Sequence, residues 1–191
     1  MINRNFNLYS SQKVEKIGNT IIYLSNGISN LSKTKLLKLL YILDELSIKK
    51  RGVPFLGLDY KLWKLGPVNQ DIFNNLSSDN LLLKNYINTT SEDGIITIEP
   101  IKNFNDDEFS DFEIELMDNI IANFGNKTAK ELVLYTHRKN SPWYITAVKN
   151  DLLENLERET ISYTDISIDM SLLVAHDESK LIRFNHFISE C

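Results

Sequence analysis

The residues with the most evident capacity for chemistry are the three histidines, His137, His176 and His186. Their spacing assembles no common metal site, and no CxxC, HExxH or DxDxDG pattern accompanies them. The sequence also contains no GxSxG, P-loop or GxGxxG pattern. Acidic pairs such as Asp106 and Asp107 could transfer protons only where burial shifts their pKa, which a sequence does not show. We therefore predict no catalytic residue, no cofactor site and no metal site, and a protein that is not an enzyme.

His137 has two interpretations. It ends a helix that we predict over residues 127–138, just before Ser141, Pro142 and Trp143. A histidine at that position interacts favourably with the carbonyl end of the helix, which requires no catalysis. A buried pocket holding His137 beside a carboxylate of shifted pKa would instead indicate an enzyme.

A group of carboxylates lies on one face of a predicted helix that starts near Ser110. Asp111, Glu115 and Asp118 share this face, whereas the apolar residues of the helix lie on another. Such a face either keeps the protein soluble or attracts a basic partner, because complementary charge speeds encounter. We take these three residues, together with Trp63, Lys35 and Lys38, as the predicted partner-binding set.

The charge is distributed unevenly along the chain. Residues 1–64 carry 11 Lys and Arg against 4 Asp and Glu, whereas residues 65–191 carry 10 against 22. The basic first third could neutralise phosphates, which leaves a nucleic-acid-binding regulator as an alternative function. The acidic remainder would repel the same polyanion, so free nucleic acid is not the partner we expect.

The elements that position these residues are mainly helical. Caps and apolar spacing predict the following helices, with a strong central one ended by Gly52: residues 12–26, 33–50, 67–76, 110–124 and 127–138, a helix opened by Ser141-Pro142, and residues 178–189. Asp93-Gly94 between two β-favouring runs predicts a hairpin, and residues 161–168 fit either a strand or a loop. The predicted fold class is mainly α (α+β), a compact helical domain with one small β-hairpin.

Composition favours an ordinary folded protein. Apolar residues make up 42% of the 191 residues and charged residues 25%, and the only cysteine is Cys191. No intrachain disulfide can form, which suits a reducing compartment. The first residues have no apolar run of signal-peptide length, and the richest apolar run is far short of a membrane span. We expect a cytoplasmic protein with no membrane partner.

The order of several short motifs resembles a known family. The run Lys35-Leu36-Leu37-Lys38-Leu39-Leu40-Tyr41 with Asp44 is followed by Gly52-Val53-Pro54, Tyr60 and Gly66-Pro67-Val68. Thr136-His137 and Ser141-Pro142-Trp143 come downstream. This progression is similar to that of the Panacea (SocA-like) antitoxin domain, and we assign residues 1–150 to such a domain. Residues 151–191 are then a C-terminal extension, which we expect to pack on the same core.

The resemblance implies a bacterial or phage antitoxin that neutralises a cognate protein toxin by direct stoichiometric binding. It also implies a possible second partner, a cytosolic protease to which the antitoxin delivers its toxin as an adaptor. Relatives with an additional DNA-binding domain exist, but few residues precede the first predicted helix here. No toxin contact can be carried over from the family to a residue of this chain.

Overall fold

The computed structural model describes residues 9–77 and 82–190. The first eight residues and Cys191, on which the expectations about a signal peptide and disulfides rest, lie outside the described residues. The described part is 53% helical and contains two small antiparallel two-stranded sheets, which confirms the mainly α fold class. Its elements are α1 (Ser11–Gly27), α2 (Lys33–Arg51), β1 (Lys61–Trp63), β2 (Gly66–Val68), α3 (Gln70–Asn75), β3 (Ile87–Glu92), β4 (Ile95–Pro100), α4 (Asp111–Phe124), α5 (Ala129–Thr136), α6 (Pro142–Lys149), α7 (Leu153–Glu157), a 3-10 helix (Met170–Leu173) and α8 (Glu178–Glu190).

Helix α2 forms the centre of the molecule, as predicted. The side chain of Ser32 caps its first turn by accepting from the N–H of Lys35 (3.3 Å). Gly52 ends it in the left-handed conformation (φ 76°), which glycine adopts without a steric penalty. Apolar side chains cover most of its circumference, and it contacts α3, α4, α5, α8, β2 and β4. A helix that is apolar on all sides must be surrounded by other elements.

Replacing Leu40 by Ala should lower the free energy of unfolding by roughly 2–5 kcal/mol, as core truncations do. The Leu40 side chain is 1% exposed within this central helix, so its removal leaves a cavity that neighbours fill only in part. Chemical denaturation measures the loss. The matched control is Leu134→Ala, since Leu134 is 62% exposed and its truncation should change stability by less than about 0.5 kcal/mol. An unchanged melting temperature for Leu40→Ala would contradict the central position of α2.

The hairpin formed by β1 and β2 was not predicted, and it corrects the assignment of Pro67. We expected Pro67 to start a helix over residues 67–76, but Pro67 lies in β2 opposite Leu62, and α3 begins only at Gln70. The N–H of Leu62 pairs with the carbonyl of Ile166 (2.9 Å) instead of the opposite strand, so Pro67, which lacks an N–H, fits this position. The Asn69 side chain then caps α3 through the N–H of Ile72 (3.0 Å).

The hairpin formed by β3 and β4 lies where the sequence predicted one. Asp93 (φ 48°) and Gly94 (φ 77°) form its two-residue turn, and both occupy the left-handed region that such turns require. The N–H of Ile98 donates to the carbonyl of Leu31 (3.0 Å), which joins the hairpin to the connection between α1 and α2.

The C-terminal residues lie against the same core. The N–H of Lys64 donates to Ser162 (2.9 Å) and that of Ile168 to Tyr60 (2.7 Å), so residues 162–168 run along β1 as an irregular segment. Met170 and Phe184 belong to the same buried cluster as the residues of α2. The division of the chain at residue 150 stays a prediction.

Candidate functional site

The motifs noted in the sequence meet around α2. Lys38 points into the interior, where it is 1% exposed and its Nζ donates to the carbonyl of Pro67 (2.9 Å). Burial lowers the pKa of the Lys38 amine to about 7, because the interior disfavours the charged form. Lys38 therefore joins α2 to the β1–β2 hairpin.

His137 lies near Lys38, at the C-terminal end of α5. Its ring stacks on Trp143 with a centroid distance of 3.7 Å and an interplanar angle of 9°. Burial, followed by the nearby charge of Lys38, lowers the pKa of His137 to about 4, so the imidazole is neutral at pH 7. An interaction of His137 with the carbonyl end of α5 therefore involves a neutral ring, and it stays a prediction. His137 acts by packing against Trp143.

The absence of a side chain at Gly66 lets the β1–β2 hairpin pack closely against Thr136 and His137. A Cβ atom at Gly66 would lie 2.7 Å from Thr136 Oγ1 and 3.3 Å from His137 Nε2, and its φ of +94° disfavours other residues. Trp143 donates its indole N–H to the carbonyl of Trp63 (2.9 Å), which fixes α6 to β1. Lys38, rather than a carboxylate, is the charged neighbour of His137.

Asp44 holds the segment that follows α2. Its Oδ1 accepts from the N–H groups of Leu56 (2.6 Å) and Gly57 (3.0 Å), and its Oδ2 accepts from the N–H of Leu58 (3.2 Å) and the hydroxyl of Tyr60 (2.8 Å). Asp44 is 1% exposed, so these four donors replace the water that a carboxylate otherwise needs. These hydrogen bonds hold the segment from Gly52-Val53-Pro54 to Tyr60 against α2.

Glu45 provides a further connection, one that the sequence analysis missed. Its side chain is fully buried and forms ion pairs with Lys49 and with Arg138, the residue that follows the α5 cap. A charged residue at the centre of an apolar helix was the available clue, because buried charges require partners. Glu45 and Arg138 bind the α5–α6 connection to α2.

The predicted partner-binding residues fall into two groups. Asp111, Glu115 and Asp118 are exposed on α4, in whose first turn Glu113 accepts from the N–H of Ser110 (2.9 Å). Asp118 also accepts a hydrogen bond from the Tyr23 hydroxyl (2.6 Å). We call Asp111, Glu115 and Asp118 the α4 acidic face.

The other group lies closer to the interior. Trp63 is partly buried between Phe73 and Tyr163, at ring-centroid distances of 4.9 Å and 6.0 Å. Lys35 is partly buried and its Nζ donates to the carbonyl of Gly125, at the end of α4. Lys38 is buried, as described above. The partner-binding role of all six residues stays a prediction.

Several lysines of the basic first third already have anionic partners. Lys61 pairs with Asp59 (2.9 Å) and Lys64 with Glu159 (2.8 Å), in addition to the Lys49–Glu45 pair. Each pair leaves less positive charge available for phosphates than the sequence alone indicated.

No group of three or more His, Cys, Asp and Glu residues is placed to hold a metal ion within residues 9–77 and 82–190. No helix in the described part of the chain is long and apolar enough to cross a membrane.

Taken together, these contacts define a mainly helical domain in which the buried polar residues Lys38, Asp44 and Glu45 join α2 to the elements around it. A family model for the antitoxin SocA-like Panacea domain matches residues 36–144, and the chain belongs to this family. The match confirms the resemblance seen in the sequence and supports an antitoxin role in general. No curated protein and no solved structure matches the chain.

Proposed function

We propose that the chain is an antitoxin that neutralises a cognate protein toxin by direct, stoichiometric binding, without catalysis. The observation that carries this proposal is the family match over residues 36–144. Within the matched segment, the buried polar side chains of Lys38, Asp44 and Glu45 join elements to one another. Their role is to build a stable surface, which is what a protein that acts by binding requires.

The α4 acidic face is the part of this surface that we propose meets the toxin. Its three carboxylates project from one helix whose other side packs in the core through Leu116 and Ile120. An acidic face attracts a basic partner and speeds its association. The alternative of a nucleic-acid-binding regulator gains less support, because several of the basic residues that it would use are buried or paired, which leaves Lys50 and Arg51 exposed.

Co-expression of the chain with the product of an adjacent reading frame that is toxic on its own should restore growth. Titration of the purified toxin should reach full neutralisation at a fixed molar ratio. Each antitoxin molecule stays bound to its toxin and cannot inactivate further toxin molecules. Neutralisation by far less than one equivalent would contradict a stoichiometric mechanism. Toxin concentration in the co-expressing cells separates two routes: an unchanged concentration indicates sequestration, whereas a loss that requires a protease indicates the adaptor role.

Reversing the charge of the α4 acidic face with Asp111→Lys, Glu115→Lys and Asp118→Lys should slow toxin association by about tenfold or more at low salt. Melting temperature should change little, because exposed charges contribute little to stability. The association rate is measured by binding to immobilised toxin and by stopped-flow mixing. The matched control is Glu92→Lys, Glu157→Lys and Asp165→Lys, three exposed carboxylates on other segments with the same change in net charge. Equal slowing by both triple variants would assign the effect to net charge and remove this face from the mechanism.

A further inference from the structure

A second surface feature joins the family domain to the C-terminal residues. A cavity of about 280 Å³ opens between them, and we call it the tail groove. One wall comes from the matched segment and includes Pro54, Leu58 and Tyr60. The opposite wall comes from residues beyond the match, namely Ile168, Met170, Phe184 and Ile188. Neither part of the chain forms this groove alone.

The chemistry of the groove is apolar inside and acidic at the mouth. Its floor consists of buried apolar side chains, of which Met170 and Phe184 are each 8% exposed. Asp59 and Asp169 are exposed at its edge. Asp59 already pairs with Lys61 (2.9 Å), so Asp169 is the carboxylate that an incoming cation meets. The volume is slightly below the range of roughly 300–1,000 Å³ typical of ligand pockets, which suits an anchoring side chain better than a large ligand.

We propose that the tail groove receives an apolar anchor residue of the toxin that is flanked by a cationic side chain. This inference rests on the proposed antitoxin function and adds a contact surface distinct from the α4 acidic face. A few anchor residues in desolvated pockets, most often Trp, Tyr or Arg, supply most of the binding energy of protein interfaces. One wall of the groove lies outside the family match. The C-terminal residues of this chain therefore help to select its toxin.

Charge favours a toxin over a second copy of the chain as the occupant. The chain has a net charge of −5, and residues 151–190 carry 9 Asp and Glu against 3 Lys and Arg. A second copy would therefore bring like charge to a mouth that already holds the Asp169 carboxylate, which is unfavourable. A basic partner places its cation beside Asp169 while its apolar side chain enters the groove.

The test uses Ile188→Lys, which places a long cationic side chain at the mouth of the groove. Ile188 is 52% exposed, so the folded chain should tolerate the change. The matched control is Ile182→Lys on the same helix, since Ile182 is 62% exposed and lies outside the tail groove. The toxin identified by co-expression is the probe, and its dissociation constant for each purified variant is measured by calorimetry alongside a thermal melt.

We expect Ile188→Lys to weaken toxin binding by about tenfold or more and Ile182→Lys to leave it within about twofold of the wild-type value. Asp169→Asn should also weaken binding, more at low than at high salt, whereas Asp165→Asn should not. Asparagine keeps the acceptor that Asp169 offers to the N–H of Ser171 (3.0 Å), so folding is preserved.

Three outcomes would overturn the inference. Wild-type affinity in a folded Ile188→Lys protein would show that the toxin does not enter the groove. Dissociation of a wild-type dimer by this substitution, measured by light scattering, would assign the groove to a second copy. Failure of the wild-type chain itself to bind the toxin would instead refute the proposed function, and this inference with it.

Discussion

Replacement of Asp44 by Ala is expected to lower the free energy of unfolding by roughly 5 kcal/mol, the largest loss from a single substitution that we predict. The carboxylate accepts from three backbone N–H groups and from Tyr60 in an interior site. Alanine leaves the three N–H groups without an acceptor, whereas the Tyr60 hydroxyl can still donate to the Leu40 carbonyl (3.1 Å). Each buried unsatisfied donor costs about 1–3 kcal/mol. Urea denaturation monitored by tryptophan fluorescence measures the change.

The replacement of Asp44 by Asn tests whether hydrogen bonding, and not side-chain volume, causes this loss. Asparagine has nearly the shape of aspartate and keeps one acceptor oxygen, which can serve Leu56 and Gly57. Its amide group cannot accept from Leu58, so the stability of Asp44→Asn should lie between those of the wild type and Asp44→Ala. Asp59→Ala is the control, because Asp59 is exposed and should change stability by less than about 0.5 kcal/mol. Equal stability of Asp44→Ala and wild type would contradict the interior role of the carboxylate.

Local patterns in the sequence were sufficient to predict most helices. Ser32 and Gly52 delimit α2, Ser110 with Glu113 opens α4, and Ser141 with Pro142 opens α6, because capping depends on residues within one turn. The Asp93-Gly94 turn was predictable for the same reason.

The error at Pro67 has a different physical origin. Proline suits the first turn of a helix, and local spacing favoured that interpretation. The β1–β2 hairpin is instead stabilised by residues far along the chain, since Ile166 and Ser162 supply carbonyl partners to Leu62 and Lys64. A pairing across about a hundred residues leaves no periodic trace in the segment itself.

The interior polar residues were the least predictable part. Lys38 was included in the predicted partner-binding set, and lysine is usually exposed. Whether its amine faces outward depends on what packs against α2, which the sequence of α2 does not show. The pairing of Glu45 with Arg138 likewise requires α5 and α6 to fold against α2. The exposed position of Asp111, Glu115 and Asp118, in contrast, followed from the helical period alone.

The burial of Lys38 should make the stability of the protein depend on pH near and above neutrality. The folded-state pKa of about 7 lies below the unfolded value of 10.5, so between these two values the unfolded chain binds a proton that the folded chain lacks. Stability must therefore rise as pH increases from about 7 towards 10, by up to about 1.4 kcal/mol for each pH unit. Below pH 7 the amine is charged in both states, and the full penalty of its burial remains.

Other groups titrate mainly outside this window. His137 has a folded pKa of about 4 against 6.5, so its contribution changes between those values, also in favour of higher pH. Hydrogen bonding to Asp118 raises the pKa of Tyr23, and burial raises that of Tyr60. These tyrosines oppose the trend only above pH 10, where the unfolded chain loses protons that the folded chain retains. Thermal melts between pH 7 and 9 thus report chiefly on Lys38.

Replacing Lys38 by Met should remove this pH dependence and stabilise the protein at pH 7. Methionine fills a similar volume without a charge, and replacing a buried charge by an apolar group is commonly stabilising. The burial penalty of the amine is on the order of 5 kcal/mol, and about 1 kcal/mol is lost with the hydrogen bond to the Pro67 carbonyl, so the net gain should be on the order of 3–4 kcal/mol. Urea denaturation at half-unit steps from pH 7 to 9 measures both effects. Lys50→Met, at the exposed end of the same helix, should keep the wild-type slope. A slope that persists in Lys38→Met would show that another group causes the pH dependence, and a flat wild-type profile would show that the Lys38 amine reaches solvent or an anionic partner when charged.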